Sequence, residues 1–133
     1  MNLARYCVTE WNRAFGDGDR EAMNLLLHDE FLLIEPEGTP YPGIYRGAEG
    51  WWQFWEKFSG TWSDVEIADH RIFLGDSPDE CAIMMSLTGK SRATGERFQT
   101  SLIENWRFRD GKILEMHPHY CDTYYLRRIT GQL

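Results

Sequence analysis

The sequence contains few cysteines, and it lacks any long run of apolar residues. The three cysteines, Cys7, Cys81 and Cys121, form an odd set without the spacing of a metal site or a redox motif. The N-terminus also lacks the apolar run of a signal peptide, so the expected location is the reducing cytoplasm. No segment approaches the roughly 18 unbroken apolar residues of a membrane span. Disulfide-stabilised secreted proteins and membrane-spanning proteins are therefore disfavoured.

Positive charge is also scarce. The chain has 14 lysine and arginine residues against 21 aspartate and glutamate residues, which gives a net charge of -7. The acidic residues are spread along the chain rather than gathered in a tail. Such a surface repels a phosphate backbone and an anionic bilayer. Neither nucleic acid nor a membrane is expected as a partner.

Apolar and aromatic residues are plentiful. In 133 residues, 42% are hydrophobic and 14% are aromatic, which suits one globular domain with a sizeable core. The sequence contains no repeat, low-complexity segment or linker that would divide it. A single domain spanning residues 1–133 is predicted.

Helical spacing of apolar residues is confined to the first half of the chain. It predicts a first helix from about Leu3 to Phe15, after which Gly16-Asp17-Gly18 breaks the pattern. Asp19 is predicted to cap a second helix, whose apolar stripe runs from Ala22 to Leu27. A third helix is predicted from about Ala48 to Phe58, and its wide aromatic stripe is interpreted as core packing.

Strand patterns dominate the second half. A short strand, Phe31 to Glu35, is stopped by Pro36 and followed by an irregular loop that extends to Gly47. Four further strands are predicted, at about Trp62 to Leu74, Glu80 to Lys90, Glu96 to Arg109, and Lys112 to Cys121. Three helices packed on a strongly curved antiparallel meander make an α+β fold, which buries the helical stripes.

One carboxylate lies in an apolar row. At a period of two, Glu104 falls on the same strand face as Leu102 and Trp106, with Phe98 and Phe108 beyond them. An unpaired, ionised carboxyl in an apolar setting is costly, so it is usually paired, hydrogen-bonded or protonated with a raised pKa. A pocket accommodates each of these states, which makes Glu104 a candidate site residue. The alternative is a half-covered face from which Glu104 reaches water or an arginine.

Several short segments occur in the order typical of a known superfamily. They are Gly16-Asp17-Gly18-Asp19 between two helices, Glu35-Pro36 at a strand end, Tyr45-Arg46-Gly47 before helix three, and the hairpin segment from Arg107 to Ile113. In these features the chain resembles the nuclear transport factor 2-like superfamily, and within it the SnoaL-like and ketosteroid-isomerase-like proteins. The resemblance implies a cone-shaped fold with an internal apolar cavity, a small apolar ligand and a homodimer.

The resemblance also implies roles for carboxyl groups. Glu35 matches the position of the general base of steroid isomerases, and Glu104 matches the carboxyl that stays protonated and donates a hydrogen bond to the oxyanion. Trp11 stands where those enzymes carry a hydrogen-bonding tyrosine, which puts steroid isomerisation itself in doubt. Asp122 matches an acid/base residue of polyketide-cyclase-like proteins. It is equally well interpreted as the cap of the segment from Thr123 to Ile129.

These positions predict the reaction class and the cavity wall. Proton transfer without a cofactor is expected, as isomerisation, cyclisation or dehydration of a small cyclic or carbonyl-containing molecule. The residues expected to contact that molecule are Trp11, Phe31, Tyr41, Tyr45, Trp55, Leu102, Trp106, Met116 and Tyr120.

Other interpretations stay open. His117, His119 and Cys121 share the opposite face of the last strand, but a metal site normally needs ligands from a second element, so no metal is expected and a histidine-rich dimer surface is favoured. Addition of water to an epoxide would require an acid-arginine-acid relay, for which Arg107 lies on the wrong strand face. A non-catalytic ligand-binding or dimerisation module is the alternative from a different class, because one fold hosts many functions.

Overall fold

The computed structural model describes residues 2–132, apart from the side chain of Asp69. Within these residues the chain forms four helices and six strands. In chain order they are α1 (Leu3–Asp17), α2 (Arg20–Leu26), β1 (Leu27–Glu35), β2 (Gly43–Arg46), α3 (Gly47–Thr61), β3 (Trp62–Leu74), β4 (Glu80–Ser91), β5 (Arg97–Arg109), β6 (Lys112–Tyr120) and α4 (Thr123–Ile129).

The first two helices are delimited by residues that the sequence identifies. The Asn2 side chain accepts a hydrogen bond from the Arg5 amide and caps α1, which ends at Gly18 in the left-handed conformation (φ 69°). The Asp19 carboxylate accepts a hydrogen bond from the Ala22 amide and caps α2, as predicted. None of the helices in residues 2–132 combines the length and the apolar character needed to cross a membrane.

The six strands form one sheet in the order β2-β1-β6-β5-β4-β3. Neighbouring strands are antiparallel, except that β1 runs parallel to β6. The register shifts in β1, β3 and β5, and Asp64 adopts a positive φ of 53° within β3. Such irregularities increase twist and curl a sheet. The α+β class is confirmed, as four helices on a curled, unclosed sheet.

Alternation along the central strands separates two faces. In β4 and in much of β5, buried residues alternate with more exposed ones, so the even-numbered positions from Phe98 to Phe108 point to the helices. The Asp110-Gly111 turn between β5 and β6 has positive φ at both residues, as expected of this hairpin dipeptide. The core lies between the inner sheet face and helices α1 to α3.

Four details of the sequence-based prediction were wrong. Leu27 begins β1 rather than closing the stripe of α2, and Leu25 of that stripe is 66% exposed. The predicted loop up to Gly47 contains the short strand β2. The pairing of β1 with β6 breaks the purely antiparallel pattern. Long-range pairing and burial decide these features, and neither can be read from local composition.

Candidate functional site

A large cavity lies between the inner face of the sheet and helices α1, α2 and α3. Its volume is about 1200 Å³. The sheet side is lined by apolar residues of all five strands β1, β3, β4, β5 and β6 and by polar side chains of β1, β3, β5 and β6. The helical side is strongly aromatic. The aromatic lining residues are Trp11, Phe15, Trp51, Trp52, Phe54, Trp55, Phe58, Trp106 and Tyr120.

Glu35 is the last residue of β1 and points into this cavity. Pro36 ends the strand there, and the alternation along β1 places Glu35 on the same face as the buried Phe31 and Leu33. Glu35 is only 4% exposed, and its Oε2 atom has no hydrogen-bond partner among the described residues. Burial, and then the nearby charge of Glu104, raise the pKa of Glu35 well above 4.5.

Glu104 reaches the same cavity from the middle of β5. Its Oε1 atom accepts a hydrogen bond of 2.9 Å from the indole Nε1 of Trp106, two residues along the same strand face. Burial raises the pKa of Glu104, whereas the hydrogen bond from Trp106 opposes that rise by stabilising the ionised form. The strand parity that identified Glu104 is therefore confirmed, and no arginine pairs with its carboxyl in residues 2–132.

A hydrogen-bonded chain of aromatic side chains lies beside the carboxyls. The indole Nε1 of Trp62 donates to the Tyr41 hydroxyl at 3.0 Å, and the hydroxyls of Tyr41 and Tyr120 are 3.3 Å apart. An indole nitrogen only donates, so the Tyr41 oxygen accepts from Trp62. Either tyrosine hydroxyl can donate to the other, and in one arrangement Tyr41 donates to Tyr120. The Tyr120 proton is in that case available to the cavity, which Tyr120 lines.

The structure separates the predicted wall residues into two groups. Trp11, Trp55, Leu102, Trp106, Met116 and Tyr120 line the cavity. Phe31, Tyr41 and Tyr45 are instead packed in the core: Phe31 is fully buried, and the Tyr45 hydroxyl donates to the Tyr41 carbonyl at 2.9 Å. Tyr41 does not line the cavity, but its hydroxyl contacts that of Tyr120, which does.

Asp122 lies outside the cavity. Its carboxylate accepts a hydrogen bond of 2.9 Å from the Tyr125 amide and caps α4. The residue is exposed at the end of β6. This geometry is the helix-cap interpretation of the sequence, and it leaves Asp122 without a place among the groups that face the cavity.

Two further tryptophans of α3 line the cavity. Trp51 is 6% exposed, and its indole nitrogen is buried without a partner among the described residues. Trp52, which falls off the aromatic stripe of α3, lies at the cavity edge, where its ring carries the Arg20 guanidinium 3.9 Å from the centroid. A position off the stripe is compatible with a cavity wall or a subunit contact, and the structure places Trp52 at the cavity. The remaining charged or titratable lining residues are Glu49, Glu56, Glu66 and His70.

The outer face of the sheet carries the histidines of β6. The rings of His117 and His119 are 4.3 Å apart, and the Cys121 sulfur lies 3.4 Å from the Thr100 hydroxyl. Across residues 2–132 there is no group of three His, Cys, Asp or Glu side chains arranged to hold a metal ion.

Comparisons with solved structures place this architecture. An NTF2-like protein from Burkholderia xenovorans LB400 superposes with a TM-score of 0.81 at 21% identity, covering 96% of this chain and 95% of that one. The Δ5-3-ketosteroid isomerase of Mycobacterium sp. superposes with a TM-score of 0.69 at 19% identity, covering 90% of this chain and 93% of that one. A Mycobacterium tuberculosis protein in complex with estradiol-17β-hemisuccinate superposes with a TM-score of 0.71 at 18% identity, covering 90% of this chain and 94% of that one. At these identities the likeness shows the fold alone.

The sequence comparisons are more specific about family. A search among curated proteins finds no match. The model of the SnoaL-like domain family matches residues 8–116, which span α1 through most of β6 and include Glu35 and Glu104. The chain therefore belongs to the SnoaL-like domain family, within the nuclear transport factor 2-like superfamily.

Proposed function

We propose that the cavity binds a small, largely apolar molecule and that Glu35 and Glu104 catalyse proton transfer on it. The observation that carries this proposal is the presence of two carboxyls, from β1 and β5, in one aromatic cavity, each with a raised pKa. Two carboxyls in such a site share protons, so one is ionised while the other stays neutral. A base and an acid are then available at the same pH.

The hydrogen bonds favour one assignment of these roles. Glu104 receives the Trp106 indole hydrogen bond, which stabilises its carboxylate, whereas the Oε2 atom of Glu35 is unpartnered and is better suited to the neutral form. In this proposal Glu104 is the base and Glu35 the acid, the reverse of the roles that the family resemblance implies. Isomerisation then begins with transfer of a substrate α-proton to Glu104, while Glu35 protonates the carbonyl oxygen and an enol forms. Glu104 next delivers its proton to a different carbon as Glu35 takes back the proton of the oxygen, which restores both carboxyls.

Tyr120 is proposed as the neutral hydrogen-bond donor to that oxygen. Tyr120 lines the cavity, and its hydroxyl proton is available to an occupant when Tyr41 is the donor in the hydrogen bond between the two tyrosines. Steroid isomerases carry a hydrogen-bonding tyrosine where this chain has Trp11. The Tyr120 hydroxyl would take over the role of that tyrosine. Isomerisation, cyclisation and dehydration of cyclic or carbonyl-containing molecules all require this combination of base, acid and donor.

The size and lining of the cavity support an aromatic or fused-ring ligand. A volume of about 1200 Å³ exceeds what most drug-sized ligands need. The estradiol derivative bound by the Mycobacterium tuberculosis protein supports the same ligand class. A binding module without chemistry is the second candidate. It is favoured by the hydrogen bond between Glu104 and Trp106, which also serves a purely structural carboxylate.

The test combines titration with exchange. Carboxyl-¹³C glutamate labelling should show Glu35 titrating well above 4.5, and Glu104→Gln should lower the pKa of Glu35 by removing a like charge. Exchange of α-protons of a panel of cyclic ketones in D₂O, followed by NMR, should slow about 10²- to 10⁴-fold in Glu104→Gln. Glu21→Gln, an exposed carboxyl of α2 outside the cavity, is the control. Normal titration of both carboxyls would remove the proposal; raised pKa values without exchange would favour the binding module.

We also propose that the outer face of the sheet forms a homodimer interface. Ile103 and Phe73 are each 44% exposed on this face, and Ile103 lies in register with Met84 and His119. Adjacent exposed apolar side chains favour burial against a partner. Light scattering should show a dimer for the native chain and a monomer for Ile103→Glu; a native monomer at micromolar concentration would contradict this proposal. The cytoplasmic location stays a prediction.

A further inference from the structure

The charges around the cavity are strongly unbalanced. Five carboxyl residues line it, two inside and three at its exposed rim, against one arginine and one histidine. The inner pair is Glu35 and Glu104, and the rim carries Glu49, Glu56, Glu66, Arg20 and His70. Helix α1 and strand β4 contribute no ionisable group, and β6 contributes the hydroxyl of Tyr120. A cavity lined by one sign of charge concentrates ligands of the opposite sign.

The aromatic walls favour the same sign. Indole faces are negative, so they attract cations placed within about 6 Å of the ring centroid. The structure contains an internal example, because the guanidinium of Arg20 lies 3.9 Å from the ring centroid of Trp52 at the cavity edge. Farther inside, Trp11 and Trp51 meet edge to face at 5.0 Å, and Trp51 stacks against Trp55. The cavity thus offers several indole rings to an occupant.

A buried acceptor lacks its partner. Glu35 is 4% exposed, lines the cavity, and has an Oε2 atom without a hydrogen-bond partner among the described residues. No lysine or arginine of residues 2–132 lines the cavity apart from Arg20, whose guanidinium already contacts Trp52. A buried carboxylate without an ion-pair partner is costly, and a ligand that brings a positive charge lowers that cost.

We infer that the molecule bound in this cavity carries a cationic nitrogen, attached to an apolar or aromatic body. The nitrogen lies against the indole faces and beside the Glu35 and Glu104 carboxyls, and the apolar body fills the remaining space along β3 and β4. This inference rests on the proposed function in that it names the substrate class of the same site. It adds a cationic nitrogen to the cyclic or carbonyl-containing molecule of that proposal.

Binding of such a ligand is linked to proton release. In the empty cavity both carboxyls stay protonated above the usual pH range of carboxyls. A cation beside them favours loss of one of the two protons, which leaves one carboxylate and one neutral acid. Affinity for the cation therefore rises with pH while the pair ionises, by at most about tenfold per pH unit for one proton. Affinity for a neutral ligand of the same shape does not rise.

The experiment uses three ligands of matched shape and different charge. They are 4-(trimethylammonio)phenol, 4-tert-butylphenol and 4-hydroxybenzenesulfonate, titrated into the full-length protein by calorimetry between pH 4.5 and 7. We expect the cation to bind about tenfold or more tightly than the neutral isostere at pH 7, and the anion to bind more weakly than both. Repeating the titration in buffers of different ionisation enthalpy measures the released proton.

Variants separate the contribution of the carboxyls to cation binding from that of the indole rings. Glu35→Gln/Glu104→Gln should abolish the proton release and the rise in cation affinity with pH, and Glu104→Gln alone covers the case that the double variant does not fold. Trp55→Leu should weaken the cation more than the neutral ligand, because Trp55 lines the cavity. Glu21→Gln, outside the cavity, should bind as the native chain does.

Two outcomes overturn the inference. One is a neutral isostere that binds as tightly as the cation at every pH, and the other is the absence of binding by the cation. Neither affects the titration of Glu35 and Glu104 in the ligand-free protein, which tests the proposed function. Failure of the ligand class and failure of the acid-base pair are therefore distinguishable.

Discussion

The two faces of β5 place similar residues in opposite environments. On the inner face, Glu104 lies in the cavity, bonded to Trp106. On the outer face, Arg107 reaches Glu115 of β6 at 3.4 Å, and the arginine side chain is 49% exposed. Both faces hold a carboxyl with a hydrogen-bond donor, and burial raises the pKa of the inner one, Glu104. The side of the sheet, more than the residue type, decides which carboxyl is fit for chemistry.

The largest expected effect is the loss of stability when a side chain of the inner face is removed. Trp106 is 2% exposed and packs edge to face with Trp11 at 6.2 Å, so Trp106→Ala should lower the free energy of unfolding by about 3–5 kcal/mol. Arg107→Ala, the next residue on the outer face, should change it by about 0.5 kcal/mol or less. Urea denaturation of both variants measures the difference. Equal losses would contradict the separation of the faces.

A smaller effect concerns the indole hydrogen bond alone. Trp106→Phe keeps most of the packing but removes the donor to Glu104, so the pKa of Glu104 should rise further. The loss of a hydrogen bond to a charged group is worth about 1.5–3 kcal/mol. Carboxyl-¹³C NMR titration checks this. An unchanged Glu104 pKa would show that the indole does not hold the carboxylate.

The third effect is the pH dependence of stability. The pKa of Glu35 is raised in the folded state, so the folded chain binds more protons than the unfolded chain at pH values between the two pKa values. Stability should therefore fall as pH rises above about 4.3, by about 1.4 kcal/mol per pH unit, until Glu35 ionises in the folded state.

The matching variant is Glu35→Gln, which should reduce this fall and leave the part that comes from Glu104, whose pKa is also raised by burial. Thermal unfolding across pH 4 to 8 measures it, and Glu115→Gln serves as the outer-face control. A native chain whose stability is flat over this range would indicate that Glu35 ionises normally.

The smallest effect belongs to the outer ion pair. Arg107 and Glu115 lie 3.4 Å apart at the surface, where such pairs contribute about 0.2–1 kcal/mol. A double-mutant cycle with Arg107→Gln and Glu115→Gln should give a coupling energy in that range, and salt should reduce it. A coupling well above it would mean that the outer face is more buried than in the single chain, as in a dimer.

The sequence predicted those features that depend on local periodicity. Alternation alone placed Glu104 among apolar neighbours, Pro36 placed Glu35 at a strand end, and Asp19 marked the start of α2. Side chains that meet across long separations were beyond it. The bond from Trp62 to Tyr41 joins a strand start to a loop, and it is this contact that assigns different roles to Tyr41 and Tyr120.

The sequence also did not distinguish aromatic residues that face the cavity from those that pack in the core. Phe31 and Trp55 were both expected at the wall, yet Phe31 is enclosed by the core and Trp55 borders the cavity. The parallel pairing of β1 with β6 was also not predictable, because it depends on how the whole sheet curls rather than on either strand.

The distribution of tryptophan has a practical consequence. Five of the six indoles border the cavity, and the sixth, Trp62, is buried and hydrogen-bonded to Tyr41. The intrinsic ultraviolet emission of the chain therefore comes largely from chromophores that an occupant would touch. Any molecule that displaces water from these rings should shift or quench that emission, so unlabelled compound collections can be screened optically before a substrate is known.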